Sequence, residues 1–289
     1  MTLIQFEVFR SIVEQGSLSK AAETLGLTQS AVSHAISKFE SDLGFTLLTR
    51  NRTGINLTAN GEKILLYVRE ILKWNEQMMQ EAAKINGLET GIVRVGTFPS
   101  VSVQWIPRII DAFSERFPYI DVQLYEGDYD EINRWIIDGT VDFGFVSLPT
   151  NTSLDIIPLK KDRLLCIVSD KHPLSENKTI QFSKINDELF IMPRSNIDND
   201  VARILKQNKV SPKIKYEMAE DQAIISMVQH NLGISILPEM ILYRLPDSVR
   251  AIQLEGDYYR TIGIASQSFN SISPGSKKLV QIIKNTVCF

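Results

Sequence analysis

The chain has 289 residues, 44% of them hydrophobic and 22% charged, and a formal net charge of −3. This is the composition of a globular protein that is long enough for two or three domains. The N-terminus lacks a basic stretch followed by an apolar run, and no segment approaches the roughly 20 consecutive apolar residues that span a bilayer. The sequence therefore argues against an exported or membrane-bound protein and predicts a cytoplasmic one without a membrane partner.

The charge is spread evenly over the N-terminal part of the chain. Residues 1–86 hold nine Lys/Arg and nine Asp/Glu, so this part is neutral. A neutral segment offers no broad electrostatic attraction for nucleic acid. Any prediction that it binds DNA must therefore rest on the pattern of its residues.

Residues 18–43 have the pattern of two helices joined by a tight turn. Leu18–Leu25 predicts a short helix, Gly26 suits a left-handed turn, and Thr28 can cap the next helix. In that next helix the apolar residues are spaced i, i+3, i+4, i+7 and i+11, which predicts one buried stripe. The stripe consists of Val32, Ala35, Ile36, Phe39 and Leu43.

The opposite face of this second helix is small and polar. It carries Gln29, Ser30, Ser33, His34, Ser37 and Lys38. Short hydrogen-bonding side chains are poor helix formers, but they suit a helix that approaches base edges in the major groove of DNA. A plain surface helix is the other interpretation of a serine-rich face, and the flanking segments favour the first one.

Those flanking segments complete a winged helix-turn-helix. A preceding amphipathic helix, which closes a three-helix core, is predicted by Leu3, Phe6, Phe9, Ile12 and Val13. After the second helix, Leu47–Arg50 and Ile55–Leu57 indicate two short strands of a wing. Arg50 and Arg52 of this wing are predicted to contact phosphate or the minor groove. We therefore predict that the six polar residues and these two arginines bind DNA.

Residues 59–87 predict a long helix that pairs two chains. Thr58 can cap it, and Asn86-Gly87 can end it. Its apolar residues follow a heptad spacing over three repeats, and one polar position within such a seam often fixes register. The predicted dimerisation seam is Ile64, Val68, Ile71, Asn75 and Met78. The alternative is that this wide stripe packs on the C-terminal part of its own chain.

From Gly91 onward, strand patterns alternate with helix patterns. The first group comprises strands at Ile92–Gly96, Ile120–Tyr125 and Asp142–Val146 and helices at Trp105–Phe117 and Tyr129–Ile137. This βαβ progression predicts an α/β domain with a mostly parallel sheet. A second group begins at Leu164–Ser169, and the last strand and helix are predicted to return to the first sheet.

Ligands of such sheets lie beyond the carboxyl ends of the strands, in the crevice where the connections diverge. The predicted ligand-binding residues at these ends are Thr97, Ser100, Ser102, Tyr129, Ser147, Arg194, Ser195 and Asn196. Arg194 and the helix N-termini favour a small anion, whereas Glu126 and Asp128 argue against one. The class of ligand stays open.

Taken together, these motifs resemble the LysR family of transcription regulators. The resemblance rests on the run AAETLGLTQSAVS at residues 21–33, on Phe39-Glu40 and Leu43-Gly44, and on LTANGE at residues 57–62. It is dense over the first sixty-odd residues and looser from there to the C-terminus. It implies a DNA-binding domain, a linker helix that pairs two subunits, and a two-lobed effector domain like the periplasmic binding proteins.

The resemblance also implies domain boundaries. The winged helix-turn-helix covers residues 1–58, the linker helix 59–87 and the effector domain 88–289. Within the effector domain, lobe 1 is expected at about 91–161 and 266–289, and lobe 2 at about 162–265. Ser100 and Ser195 match positions that contact effectors in this family.

The partners that the resemblance implies are double-stranded DNA with a palindromic operator, a small-molecule effector and further copies of the chain. We expect a dimer that assembles into a tetramer, with RNA polymerase as a further candidate partner. Two recognition helices tied by the linker pair would read two half-sites on one face of the DNA.

Other functions find less support in the sequence. The three histidines, His34, His172 and His230, suggest neither a metal site nor a catalytic triad, so we predict no enzyme, metal or cofactor. A thiol-based redox-sensing regulator is the nearer alternative, but Cys166 lies in an apolar run and Cys288 is the penultimate residue. A solute-binding receptor would need an export signal and would have no use for residues 1–60.

Overall fold

A computed structural model describes residues 1–51, 54–86, 89–150, 153–194 and 199–287, although not the side chains of residues 50, 51 and 199. Five residues named from the sequence lie outside this part of the chain, namely Arg52, Gly87, Ser195, Asn196 and Cys288. The side chain of Arg50 also lies outside it.

The N-terminal unit, residues 1–58, which we call the head, consists of α1 Leu3–Gln15, α2 Leu18–Leu25, α3 Gln29–Leu43, β1 Leu48–Asn51 and β2 Gly54–Leu57. Residues next to the helix ends determine where its helices begin and end. Thr28 Oγ1 accepts the Ala31 N–H at 3.1 Å and starts α3. Gly26 and Gly44 end α2 and α3 with φ angles of 64° and 79°, which only glycine adopts at little cost.

The buried stripe of α3 packs on α1, as its spacing predicts. The ring of Phe39 meets those of Phe6 and Phe9 edge-on, at centroid distances of 5.3 and 5.8 Å. Glu40 accepts the backbone N–H groups of Leu47 and Leu48 at 2.7 and 3.1 Å. This carboxylate fixes the wing against α3, so the position of the wing follows from the helical core.

The linker helix α4, Ala59–Ile85, begins where Thr58 Oγ1 accepts the Gly61 N–H at 2.9 Å. One face of its first turns is buried in the core of the head, through Leu65, Val68 and Leu72. Another face lies on the C-terminal domain, where the Gln77 side chain donates to the carbonyl oxygen of Ser271 at 2.8 Å. The helix therefore packs on both domains.

The C-terminal domain begins with a parallel sheet and its helices. The elements are β3 Gly91–Thr97, α5 Pro99–Gln104, α6 Ile106–Arg116, β4 Ile120–Glu126, α7 Tyr129–Ile137 and β5 Phe143–Leu148. Strand β3 pairs in parallel with β4 and with β5. The single helix predicted for Trp105–Phe117 is preceded by the separate α5, because Pro99 and Pro107 each open a helix of their own.

Strand β6, Asp155–Ser169, leaves this first lobe and continues into a second one. The sequence predicts only its last part, because the Lys-Lys-Asp-Arg run at residues 160–163 breaks any apolar pattern. Lobe 2 comprises β7 Thr179–Ile180, α8 Phe182–Ile185, β8 Leu189–Pro193, α9 Asn199–Gln207, β9 Lys213–Met218, α10 Asp221–Gln229, β10 Ser235–Pro238 and β11 Val249–Leu254. Strands β10 and β11 pair with β6, and β8 pairs in parallel with β9.

Strand β12, Tyr259–Ser266, returns to lobe 1 and pairs antiparallel with both β5 and β6. Helix α11, Pro274–Val287, then packs on α6. Strands β6 and β12 thus connect the two lobes, and we call them the connecting strands. The predicted fold class is confirmed: a winged helix-turn-helix, a long linker helix and a two-lobed α/β domain.

Candidate functional site

The polar face of α3 lies on the outside of the head. Five of its residues are exposed and Ser33 is half-buried; the exposed ones are Gln29, Ser30, His34, Ser37 and Lys38. The ammonium of Lys38 pairs with Asp42 at 2.9 Å, and this hydrogen bond holds the pKa of the Asp42 carboxyl below its ordinary value. The helix therefore presents a polar surface of a shape that a DNA groove can receive.

The wing follows α3 in the chain and is held to it by Glu40. Its strands pair antiparallel from Leu48 opposite Leu57 to Asn51 opposite Gly54. Because the side chain of Arg50 and all of Arg52 lie outside the described residues, their contacts with DNA remain predictions from the sequence.

The exposed apolar residues of α4 differ from the predicted dimerisation seam. Val68 is only 2% exposed and Ile64 is half-buried, and both pack in the core of the head. This corrects the assignment of Val68 to the seam, because the chain itself already covers it, whereas the assignment of the half-buried Ile64 stays a prediction and Ile71 and Met78 are exposed. Asn75 is half-buried, and the stripe that remains exposed consists of Tyr67, Ile71, Trp74, Met78 and Ile85. We call this set the exposed stripe.

A cavity of about 590 Å³ lies between the two lobes. The apolar part of its wall includes Phe98, Val103, Met240, Ile241 and Tyr243. Of the residues predicted to bind a ligand, Ser100, Tyr129 and Arg194 line it. A volume of this size, lined by apolar side chains together with polar and charged ones, can hold a small organic molecule.

Arg260, a residue that the sequence reasoning missed, forms the floor of the cavity. Its side chain is almost fully buried and pairs with the equally buried Asp162 at 2.7 Å. It also donates to Tyr129 Oη and to Ser100 Oγ, both at 2.8 Å. Because Asp162 belongs to β6 and Arg260 to β12, this network ties the connecting strands to the first turns of α5 and α7.

Three predicted ligand-binding residues do not line the cavity. Thr97 and Ser102 share a hydrogen bond with each other at 3.2 Å. Ser147 donates to Asp200 at 2.9 Å, a bond that reaches from lobe 1 to lobe 2. Thr97 and Ser147 lie at the ends of β3 and β5 and Ser102 lies in α5, but their hydroxyls bind neighbouring side chains of the protein and none of the three lines the cavity, which corrects their assignment to a ligand.

Carboxylates outnumber cations around the cavity. The lining acids are Glu126, Asp128, Glu131, Glu220 and Asp221, against Arg194 and Arg260. Asp128 and Glu131 also form the capping box of α7. Burial raises the pKa of Asp221 to about 6, although the nearby Arg260 acts to lower it. The surroundings of the cavity are therefore more acidic than Arg194 by itself suggests.

Cys166 is fully buried in β6, and burial raises the pKa of its thiol above the ordinary value. A buried, protonated thiol is a poor nucleophile and a poor oxidation target. Within residues 1–287 as far as they are described, no three His, Cys, Asp or Glu side chains are grouped to hold a metal ion. None of the helices in the described segments has the length and apolar character needed to cross a membrane.

Two known families match this chain. The family described as "Bacterial regulatory helix-turn-helix protein, lysR family" matches residues 3–62, and the one described as "LysR substrate binding domain" matches residues 86–287. A Bacillus subtilis protein named as the uncharacterized HTH-type transcriptional regulator YvbU is 33% identical over 98% of each chain.

Solved structures share the whole architecture. A full-length OxyR variant from Pseudomonas aeruginosa has a TM-score of 0.80 at 20% identity, over 99% of this chain and 94% of the other. CbnR complexed with its target DNA has a TM-score of 0.68 at 21% identity, over 99% of this chain and 100% of the other. Likeness at this level of identity shows the fold.

A winged helix-turn-helix joined by a long helix to a two-lobed domain with a cavity defines a DNA-binding transcription regulator with an effector-binding domain. This chain belongs to the LysR family of such regulators. The family and function predicted from the sequence are confirmed. We refer to the C-terminal domain as the effector domain from this point.

Proposed function

We propose that two copies of this chain read the half-sites of a palindromic operator, and that a small effector in the cavity between the lobes changes how they do so. The protein acts by binding and not by catalysis. We place it in the cytoplasm with its DNA, and we infer a tetramer built from two pairs, with RNA polymerase as a further partner.

The polar face of α3 supports the assignment of base reading. The N-terminal residues of a recognition helix reach the base edges first, and Gln29, Ser30 and Ser33 occupy that part of α3. His34, Ser37 and Lys38 continue the same surface. On this proposal the wing arginines, Arg50 and Arg52, contact phosphate and so fix the register of the helix on the duplex.

The exposed stripe supports pairing through α4. Trp74, at its centre, is 58% exposed, and a row of large apolar groups on one helix face is unusual for a surface without a partner. Tyr67, Ile71, Trp74 and Met78 are spaced four, three and four residues apart, which is the spacing of a two-helix seam. The linker helices of two chains therefore meet, on this proposal, along the exposed stripe.

The cavity is the observation on which the effector proposal depends. A molecule in it would touch Ser100 and Tyr129 of lobe 1, Arg194 of lobe 2 and Arg260 of a connecting strand. Such a ligand can shift the lobes only to the extent that it binds one arrangement more tightly than the other. Ser195 and Asn196, next to Arg194 in the chain, remain candidates from the sequence.

A matched pair of variants tests the cavity. Val103 lines it and is 48% exposed, whereas Leu124 is 45% exposed and is not among its lining residues, so Val103→Trp fills the cavity and Leu124→Trp does not. We would measure the melting temperature of the full chain with single carboxylic acids, amines and sugar phosphates. A ligand of the cavity should stabilise the wild type and Leu124→Trp, but not Val103→Trp. A compound that stabilises all three equally would contradict the proposed site.

A further inference from the structure

One carboxylate joins the head, the linker helix and the effector domain. Glu76 of α4 accepts two hydrogen bonds from Arg94 of β3, at 2.8 and 3.0 Å. The same carboxylate lies 3.6 Å from Nη1 of Arg10 in α1. Arg94 belongs to lobe 1 and Arg10 to the head, so Glu76 stands between one cation from each domain.

The two contacts of Glu76 differ in strength. The pair with Arg94 is bidentate, a geometry that is stronger and more specific than a single contact. Burial acts to lower the pKa of the Arg94 guanidinium, but Glu76 and Asp142 outweigh it and the pKa lies above its ordinary value. The contact with Arg10 is longer, and Arg10 also lies 3.8 Å from Glu14 of its own helix.

The two cations belong to different parts of the protein, Arg10 to the head and Arg94 to lobe 1. The first turns of α4 share the apolar core of the head, so α1 and α4 form one unit, and Arg10 moves with Glu76. Arg94 belongs to lobe 1, across a polar seam that also contains the pair of Arg69 with Asp138 at 2.9 Å. If lobe 1 and α4 separate, Glu76 therefore loses Arg94 but keeps a cation within reach.

The packing around this seam is incompletely satisfied. Among the described residues of α4, two side chains beside Gly139 of lobe 1 have a buried atom that lacks a hydrogen-bond partner, namely Arg69 Nε and Glu70 Oε1, although the latter lies 3.9 Å from Lys73 Nζ. Buried polar atoms without partners cost free energy, so a rearranged seam that satisfies them can approach the present one in stability. Seams of this polar kind suit relative motion of domains better than an apolar core does.

We propose that Glu76 is a positioning residue that exchanges between Arg94 and Arg10, and that its pairing with Arg94 holds the DNA-binding head on lobe 1. This inference rests on the proposed paired reading of two half-sites, and it deepens that proposal. With Glu76 on Arg94 the heads are held at one separation. With Glu76 on Arg10 the head and α4 are released from lobe 1 and accept other separations.

The test uses the full chain and three variants that each replace one charged side chain by glutamine. Glu76→Gln weakens the hold on lobe 1, and Arg10→Gln removes the other partner of Glu76. Glu81→Gln is the matched control, because Glu81 lies on the same helix and pairs only with Lys84 among the described residues, at 3.4 Å. An operator is first selected from random DNA with the wild type. Binding is then measured to that operator, to versions with the half-sites moved by one to three base pairs, and to a single half-site.

In the wild type, moving the half-sites should lower the affinity for the operator. For Glu76→Gln we expect this loss of affinity to be about fivefold smaller, while the affinity for the single half-site stays unchanged. For Arg10→Gln, we expect that moving the half-sites costs at least as much affinity as it costs the wild type, because Glu76 can then pair only with Arg94. Glu81→Gln should match the wild type.

Three results would overturn the inference: a wild-type spacing profile in Glu76→Gln, a shift in the same direction in both Glu76→Gln and Arg10→Gln, or weaker half-site binding in Glu76→Gln. The first result would show that Glu76 does not position the head. The other two would indicate that Glu76 serves only the stability of the fold. A wild type without any spacing preference would instead contradict the paired reading itself, and the exchange with it.

Discussion

The recognition face of α3 and the cavity of the effector domain both present polar side chains, but they hold them in opposite ways. On α3 the side chains of Gln29 and Ser30 are exposed, and the packed core beneath the helix fixes their position. In the cavity, Ser100 and Tyr129 are both bound to Arg260. DNA that meets α3 displaces mainly water, whereas a ligand in the cavity must compete with bonds inside the protein.

This difference matches the two tasks of a regulator. A reader of DNA needs a surface that keeps its shape, and the head supplies it with an apolar core and glycine-ended helices. A sensor needs a site whose internal bonds change when a ligand arrives, because only a difference between two arrangements can be transmitted. The bonds of Arg260 lie on the connecting strands, where such a change would reach both lobes.

The largest effect that would sharpen this contrast is expected from Arg260→Ala. The change leaves the carboxylate of Asp162, only 4% exposed, without its cation, and removing one partner of a buried pair costs about 3–5 kcal/mol. We expect a loss of this size in the free energy of unfolding of the effector domain, measured with urea. Arg194→Ala is the control, because Arg194 lines the same cavity but is exposed. Equal losses for the two variants would show that the network contributes little.

The head and the cavity also differ in how much of them could be predicted from the sequence. The head follows from local signals, because Val32, Ile36 and Phe39 recur at helical spacing and Gly26 ends a helix where it stands. The burial of Val68 could not be assigned to the right neighbour, since periodicity shows that a residue is apolar but not which surface covers it.

The cavity was predictable only where it depends on strand ends. Ser100, Tyr129 and Arg194 follow predicted strands, and the ends of such strands meet in one crevice. Arg260 and Asp162 stand within the connecting strands and are 98 residues apart in the chain. Nothing local to either residue shows that they meet, so their pairing could be found only in the folded protein.

A pH-dependent effect is expected from Asp221→Asn. The pKa of Asp221 is about 6 in the folded protein against an ordinary value of 3.8, so the native state holds this proton more tightly than the unfolded state. The contribution of Asp221 to stability is therefore present below pH 3.8 and is lost as the pH rises through 6.

Above pH 7, Asp221→Asn should accordingly be more stable than the wild type by about 1–3 kcal/mol, and near pH 4 the two should differ little. The measurement is the free energy of unfolding at a series of pH values. Glu217→Gln, at a nearby exposed position that does not act on the pKa of Asp221, provides the comparison. A stability difference for Asp221→Asn that does not vary with pH would rule out titration as its cause.

On α3, Gln29→Ala tests whether the exposed face reads bases. If Gln29 makes a bidentate amide contact with a base, we expect a loss of about 1–3 kcal/mol in binding to the selected operator and a relaxed base preference at one position. Stability should change little, since the side chain is exposed. Binding to random and selected DNA is compared in the same salt. An equal loss on both would move Gln29 from the readers of bases to the backbone contacts.

The smallest effect is expected from Arg52→Ala in the wing. If Arg52 contacts phosphate, its loss should weaken binding to selected and random DNA alike and reduce the slope of log affinity against log salt by about one unit. Lys84→Ala removes an exposed cation at the far end of α4 and should leave the slope unchanged. A loss confined to the selected operator would instead make Arg52 a reader of sequence. The head would then read bases from both its rigid helix and its wing, and the contrast between a fixed reader and an adaptable sensor would rest on α3 alone.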